Sequence, residues 1–253
     1  MNFWDDILLR IEGLETTFKT EHGEVKAVKG IDFSIKKGET IGIVGESGSG
    51  KSVTSLSIMR LISKPGKITN GKISFNNHGE IVDLTELSNA EMRKVRGNNI
   101  SMIFQDLQLA NGASTLKNVL GGCLGRHSSL KTFFSFPRHE KELSKEWLGK
   151  FGLEQKTNQW ASTLSRGERQ RLAICRSMLS SPTLLLADEP VASLDASWAN
   201  KTLELLKSNQ REMGGGIICS LHDEDQVLQF ADFVLRLNSE NPDNWSWQQM
   251  KSK

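Results

Sequence analysis

The chain has 253 residues, enough for one large domain or two small ones. Its 32 lysines and arginines nearly balance 30 aspartates and glutamates, for a net charge of +2, which gives no general argument for nucleic acid, where a clustered basic face is expected. No window approaches the ~18 consecutive apolar residues of a membrane span, and the acidic start "MNFWDDILLR" does not read as a signal peptide.

The first seventy-odd residues read as short strands. "ILLRIEGLETTF" and "VKAVKGIDFSI" flank a turn-like "KTEHGE", followed by the buried-strand pattern "TIGIVG" and by "GKISF". After Lys51, "SVTSLSIMRLI" has apolar residues at helical spacing and stops at Pro65-Gly66. "NISMIFQ" is a further strand. From about Leu107 to Ser180 the pattern is mostly helical, clearest in "EKELSKEWLGKFGL" and "RQRLAICRSMLS". Strands return in "TLLLAD" and "GIICSLH", joined by a crossover helix in "ASWANKTLELLKSNQREMGGG". Strand, helix, strand at this spacing predicts a parallel sheet, with a helical insertion inside an α/β core. Cys123, Cys175 and Cys219 are scattered without metal-ligand spacing and are expected to be buried thiols. His22, His78, His127 and His139 stand in loop-like contexts and receive no role. The tail "NPDNWSWQQMKSK" is polar with two tryptophans and also receives none.

Gly45-Glu46-Ser47-Gly48-Ser49-Gly50-Lys51-Ser52 fits G-x-x-x-x-G-K-[ST] between a strand and a helix. Glycines let successive N–H groups point at phosphate oxygens, and the following helix adds its positive end. Lys51 is placed to reach the β- and γ-phosphates of a nucleotide, and the Ser52 hydroxyl to ligate Mg²⁺. That loop alone leaves kinases, GTPases and transport ATPases open. "TLLLADEP" then puts four apolar residues before Asp188 and Glu189, at the edge of the sheet where ligands bind in such folds. Asp188 is suited to hold Mg²⁺ through water, and Glu189 to accept a proton from attacking water.

Upstream, Leu164-Ser165-Arg166-Gly167-Glu168 resembles the LSGGQ signature of ABC-type ATPases. The resemblance covers roughly Leu8 to Leu237 and orders the remaining motifs. It implies that Gln105 is the Q-loop glutamine at Mg²⁺, that Ser193 to Asp195 is the D-loop, that His222 is the switch histidine, and that Phe18 stacks on adenine in a chain without tyrosine. The signature departs from the family pattern at Arg166 and Glu168. Ser165 and Gly167, which the family turns toward the γ-phosphate across a dimer, remain. Glu168 is a mild amide-to-acid change, and Arg166 is expected to point outward.

The resemblance implies a P-loop NTPase fold: a RecA-like parallel-sheet core with an N-terminal antiparallel β-subdomain and an inserted α-helical subdomain. An ATPase domain over 1–240 is expected, with a core lobe over 1–105 and 182–240, a helical lobe over 106–181 and a polar tail over 241–253. It further implies ATP and Mg²⁺ as ligands, and transmembrane permease subunits as partners. A second ATPase subunit (the same or different), a solute-binding protein and a place on the cytoplasmic face of the membrane follow from it as well. On cargo the two halves diverge. "IGIVGESGSGKSVTSLSIMRL" with "MRKVRGNNISMIFQD" resembles ATPases of peptide and nickel importers. "LKNVLGGCLGR", "ADEPVASLD" and "SLHDEDQVLQFAD" look like those of phosphonate importers. The missing C-terminal extension of the peptide group tilts the expectation slightly toward a small anionic solute. The rivals are a non-transport ABC ATPase, which usually shows a coiled-coil insertion or tandem domains, and a P-loop kinase, which needs no signature.

Overall fold

The computed structural model describes residues 4, 6–21, 23–127, 135–221 and 223–250. Two sheets organise the chain. The first is antiparallel, made of β1 (Ile7–Thr20), β2 (Gly23–Lys36), β4 (Gly66–Asn77) and β5 (Glu80–Asp83) in the order β2-β1-β4-β5. The second contains β3 (Thr40–Val44), β6 (Ile100–Ile103), β7 (Leu184–Asp188), β8 (Gly216–Ser220), β9 (Phe233–Arg236) and β10 (Ser246–Gln249) in the order β10-β9-β3-β8-β7-β6. Its strands are parallel except for β10, which runs antiparallel to β9.

β3, β7 and β8 are buried along their whole length, as expected of parallel strands covered on both faces. Successive side chains of a strand point to opposite faces, and the packing follows this period. Leu184 and Leu186 of β7 join one core with Ile41, Ile43 and Ile218, beneath the antiparallel sheet. Leu185 and Ala187 join the other with Ile217 and Cys219, beneath the helices. The parallel sheet thus divides two hydrophobic cores.

On the antiparallel-sheet side lie α1 (Lys51–Ile58) and α2 (Asn89–Asn98), which contribute Ile58, Met92 and Val95. The other side carries α3 (Thr115–Leu120), α4 (Arg138–Lys150), α5 (Arg166–Leu179), α6 (Ala196–Glu212) and α7 (Glu224–Phe230). Leu148, Phe151, Leu172 and Ile174 of the helical region belong to the same core as Ile217 and Val234 of the sheet. The insertion therefore shares its hydrophobic core with the sheet.

Several elements differ from the sequence pattern. α1 ends at Ile58, short of the apolar run to Ile62. Arg60 takes a left-handed φ of 49°, and the Arg96 guanidinium caps the carbonyls of Met59 (2.8 Å) and Arg60 (3.1 Å). α6 stops at Glu212, because Gly214 turns at φ 64°. α2 and β5 were not read from the sequence, although Ser88 and Glu91 form a capping box at the start of α2. His139, read as loop, is in α4. The supposed polar tail carries β10, whose half-buried Trp247 stacks on Phe233 (5.2 Å between ring centroids) and on Phe33 of β2 (5.6 Å).

All three cysteines are buried, as expected. Burial pushes the Cys123 thiol up to about 11, and raises Cys175 and Cys219 as well.

Candidate functional site

The buried strand β3 delivers the chain into Gly45, where the backbone takes φ 151°. A Cβ there would lie 2.4 Å from the Leu237 carbonyl oxygen and 2.5 Å from Ser49 Oγ, so only glycine fits. Gly50 precedes α1 at φ 99°, and a Cβ on it would lie 2.3 Å from the Ala27 carbonyl oxygen. The loop is thereby gripped at both ends by neighbouring backbone. Lys51 is 6 % exposed, and its Nζ donates to the carbonyls of Gly45 (2.6 Å) and Glu46 (2.8 Å). Ser49 Oγ is buried without a hydrogen-bond partner. A buried orphan hydroxyl, a cation and a helix N-terminus on one glycine-bounded loop fit the phosphates of a nucleotide. Glu46, Ser47 and Gly48 form the exposed outer part of the loop, and Ser52 is half-buried in the first turn of α1.

The parallel register sets Ser220 of β8 opposite Ile43 of β3 on one side and Asp188 of β7 on the other. All three strands end at the same edge of the sheet. Asp188 is 4 % exposed and accepts a hydrogen bond from Ser220 Oγ at 2.7 Å. The same hydroxyl oxygen accepts from the Glu189 backbone N–H at 3.0 Å. Glu189 takes a left-handed φ of 51°, uncommon for a residue with a side chain. Its Oε2 accepts from Gln105 Nε2 at 3.0 Å, and its carbonyl from Gln170 Nε2 of α5 at 3.2 Å. Gln105, identified in the sequence apart from the Asp188-Glu189 pair, thus shares one network with it. Ser220 and Gln170 were missed. The available signal for Ser220 was a lone polar residue ending a buried strand.

At the start of α5, Ser165 accepts from the Glu168 N–H at 3.3 Å, while the Glu168 carboxylate accepts from the Ser165 N–H at 2.9 Å. This capping box gives Glu168 a structural task that glutamine shares. Lys156 donates to the Glu168 carboxylate and holds its carboxyl below the ordinary range. Arg166 is exposed at the first position of the helix. A Cβ on Gly167 would lie 3.1 Å from the Ser193 carbonyl oxygen, so the signature-like turn packs on the SLD segment of its own chain. Asp195 caps α6 by accepting from the Trp198 N–H at 3.0 Å. Phe18 of β1 pairs with Val25 of β2 and Gly66 of β4, and its ring lies over Gly66, where a Cβ would come within 2.5 Å of Cε1. His222 lies outside the described residues.

A second polar cluster sits in the helical region. Cys123, His127 and Glu140 have ligand atoms within 4.8 Å of one another. The 2 % exposed Glu140 carboxylate is already held by Arg126 at 2.9 and 3.0 Å and by His127 at 2.8 Å. The guanidinium would oppose a metal cation, and the group is a buried ion pair.

A family model described as "ABC transporter" matches residues 28–192. The chain is 40% identical over 235 residues to the dipeptide transport ATP-binding protein DppD of Bacillus subtilis, covering 90% of this chain and 67% of that protein. It is also 40% identical to the oligopeptide transport ATP-binding protein OppD of Bacillus subtilis, covering 90% of this chain and 62% of that one. To the glutathione import ATP-binding protein GsiA of Salmonella typhimurium it is 35% identical, over 90% of this chain and 37% of that protein. Among solved structures, a dimeric bacterial ABC transporter cassette superposes with a TM-score of 0.84 at 26% identity, covering 97% of this chain and all of the other. A dimeric post-hydrolysis state of a cassette bound to ADP and Pi gives 0.83 at 26% identity, with the same coverage. The P-loop NTPase fold of such cassettes is therefore the fold of this chain.

Proposed function

Because this chain belongs to the ABC transporter family and hydrolyses ATP, we propose that it powers the import of peptides through a membrane permease. The observation that carries the ATP site is the edge at which the phosphate loop, Asp188, Glu189 and Gln105 converge through Ser220. Gly45 to Ser52 hold the phosphates, with Lys51 turning from the loop carbonyls to the β- and γ-oxygens. Ser52 and Asp188, with Gln105, are the residues suited to Mg²⁺, which supplies charge neutralisation at the β- and γ-phosphates. Glu189 takes the proton of attacking water, and its backbone is fixed by Ser220 and Gln170 while Gln105 orients its carboxylate. His222 assists at the γ-phosphate, and Phe18 offers its ring to adenine.

The second half of each site comes from another ATPase subunit, whose segment Ser165-Arg166-Gly167-Glu168 approaches the γ-phosphate through Ser165 and Gly167, with Asp195 of the D-loop beside it. ATP bridges the two subunits and so drives closure, a population shift whose size equals its preference for the closed pair. The helical lobe over 106–181 meets the permease on the cytoplasmic face, and a solute-binding protein delivers cargo on the other. Among the described residues no helix is long and apolar enough to cross a membrane, which fits a chain that attaches through a partner. The named relatives fall on the peptide side of the two cargo resemblances, and this favours peptides over phosphonates.

Two measurements test the reading. Lys51→Ala is expected to lose most ATP affinity and nearly all hydrolysis with its circular dichroism unchanged; normal turnover would move the site elsewhere. Affinity purification from membranes is expected to bring down a polytopic permease whose ATPase-coupled transport responds to short peptides; a permease responding only to phosphonates would overturn the cargo.

A further inference from the structure

Glu46 poses an electrostatic problem. It is the second residue of a loop proposed to cradle a polyanion, yet it carries a negative charge. Its backbone and side chain part company: the carbonyl turns inward to accept from Lys51 Nζ and the Ser49 N–H, at 2.8 and 3.2 Å. The carboxylate turns the other way and accepts from Ser239 Oγ at 2.8 Å. Ser239 follows β9, in a segment that borders a cleft of about 550 Å³ together with Gly45, Glu46 and Asn244.

That segment is itself fastened. The Leu237 N–H donates to the Val44 carbonyl at 2.9 Å, and its own carbonyl abuts Gly45. Asn238 Oδ1 accepts from the N–H groups of Glu240 and Asn241, at 2.9 and 3.0 Å, which shapes the turn after Ser239. Asp243 pairs with Lys29 of β2, and Trp247 stacks on Phe33 of the same strand. β2 also supplies the Ala27 carbonyl that abuts Gly50 at the other end of the loop. The phosphate loop therefore sits in a frame closed by β2 and the segment after β9.

We propose that Ser239 is a positioning residue for ATP, holding the Glu46 carboxylate away from the phosphates. The proposal rests on Gly45 to Ser52 being the phosphate site. Freed from Ser239, an exposed carboxylate on a loop this short samples positions nearer the phosphates, where like charges repel. Salt screens that repulsion, because Glu46 is exposed.

The test is a double-variant cycle read by calorimetric titration with MgATP. Ser239→Ala is expected to weaken binding by about three- to tenfold at roughly 50 mM salt, and by less than about twofold at roughly 0.5 M, as screening requires. In a Glu46→Gln background Ser239→Ala is expected to have no further effect, and Ser239→Thr is expected to bind as the wild type does. Unchanged affinity for Ser239→Ala at low salt overturns the proposal. So does a loss that persists in the Glu46→Gln background or at high salt, because the hydroxyl would then be supporting loop structure. Lys51→Ala tests the phosphate site separately: if that variant binds ATP normally, the underlying site reading fails whatever Ser239 does.

Discussion

Gln105 Nε2 donates to Glu189 Oε2 across 3.0 Å, joining the loop after β6 to the carboxylate at the end of β7. The glutamine proposed for Mg²⁺ and the carboxylate proposed to activate water thus share a hydrogen bond. Glu189→Gln keeps shape and can still bond to Gln105, but it cannot take a proton. Hydrolysis is expected to fall by roughly 10²–10⁴-fold while ATP binding survives. The variant is expected to run as a monomer without nucleotide or with ADP, and as a dimer with ATP, by size-exclusion chromatography with light scattering. A variant that binds ATP tightly and stays monomeric, even with its permease, would count against the shared site.

Ser220 serves two masters, as donor to buried Asp188 and acceptor for the Glu189 N–H. Ser220→Ala leaves both without that partner. A buried polar group left unsatisfied costs about 1–3 kcal/mol. A drop of that size in unfolding free energy is expected by denaturant titration, with slower ATP turnover because both acidic residues lose their support.

Arg166 is exposed at the first position of α5. Arg166→Gly is therefore expected to change steady-state ATPase activity by less than about tenfold, or ~1.4 kcal/mol of barrier. A larger gain would mean that the side chain crowds the phosphate, and a larger loss that it touches it.

The cap of α5 is expected to weaken in acid. Hydrogen bonding to Lys156 lowers the Glu168 carboxyl from its ordinary 4.5. Its stabilising contribution is then complete above 4.5, and is lost as the pH falls through the depressed value. Protection of the Ser165 and Glu168 amides, taken relative to the slower intrinsic exchange in acid and followed from pH 6 downward by NMR, should fall below pH 4.5 and not above it. Glu168→Gln should flatten the dependence.

Trp247 stacks on both Phe33 and Phe233, so it fastens the segment after β9 to β2 as well as to β9. Each aromatic pair contributes about 0.5–1.5 kcal/mol beyond its burial. Trp247→Ala is expected to lower unfolding free energy by about 2 kcal/mol from two mid-range pairs, and further by the burial that the half-buried indole loses. Trp247→Phe should restore roughly half of it, measured by chemical denaturation.

The parallel strands were legible because full burial leaves a plain signal: "TIGIV", "TLLLAD" and "GIICS" are largely apolar runs, the last two ending in Asp188 and Ser220. The phosphate loop was legible because its chemistry dictates residue type at fixed spacing. β10 was not. "SWQQ" is an edge strand with one half-buried side chain, and its stability comes from Trp247 meeting two rings far away in sequence. Ser220 escaped for the same reason, since its partner Asp188 lies on the neighbouring strand. Nor could spacing reveal that Glu140 would draw in Arg126 and His127, 14 and 13 residues before it.

β3 carries the phosphate loop, yet both of its neighbours in the sheet come from much later in the chain. Ile41 pairs with Ile218 on one side and Phe233 on the other. A ribosome must therefore have released the chain through Phe233 before the strand that leads to Lys51 can enter its sheet on both sides. Contacts so distant in sequence form slowly, because the intervening loop must first be closed. Until then "TIGIV" and its apolar neighbours have no sheet to enter, and an emerging chain of this kind is a natural client for chaperones. Nucleotide competence thus arrives late in synthesis, so fragments arrested before Gly216 should neither bind ATP nor compete for it.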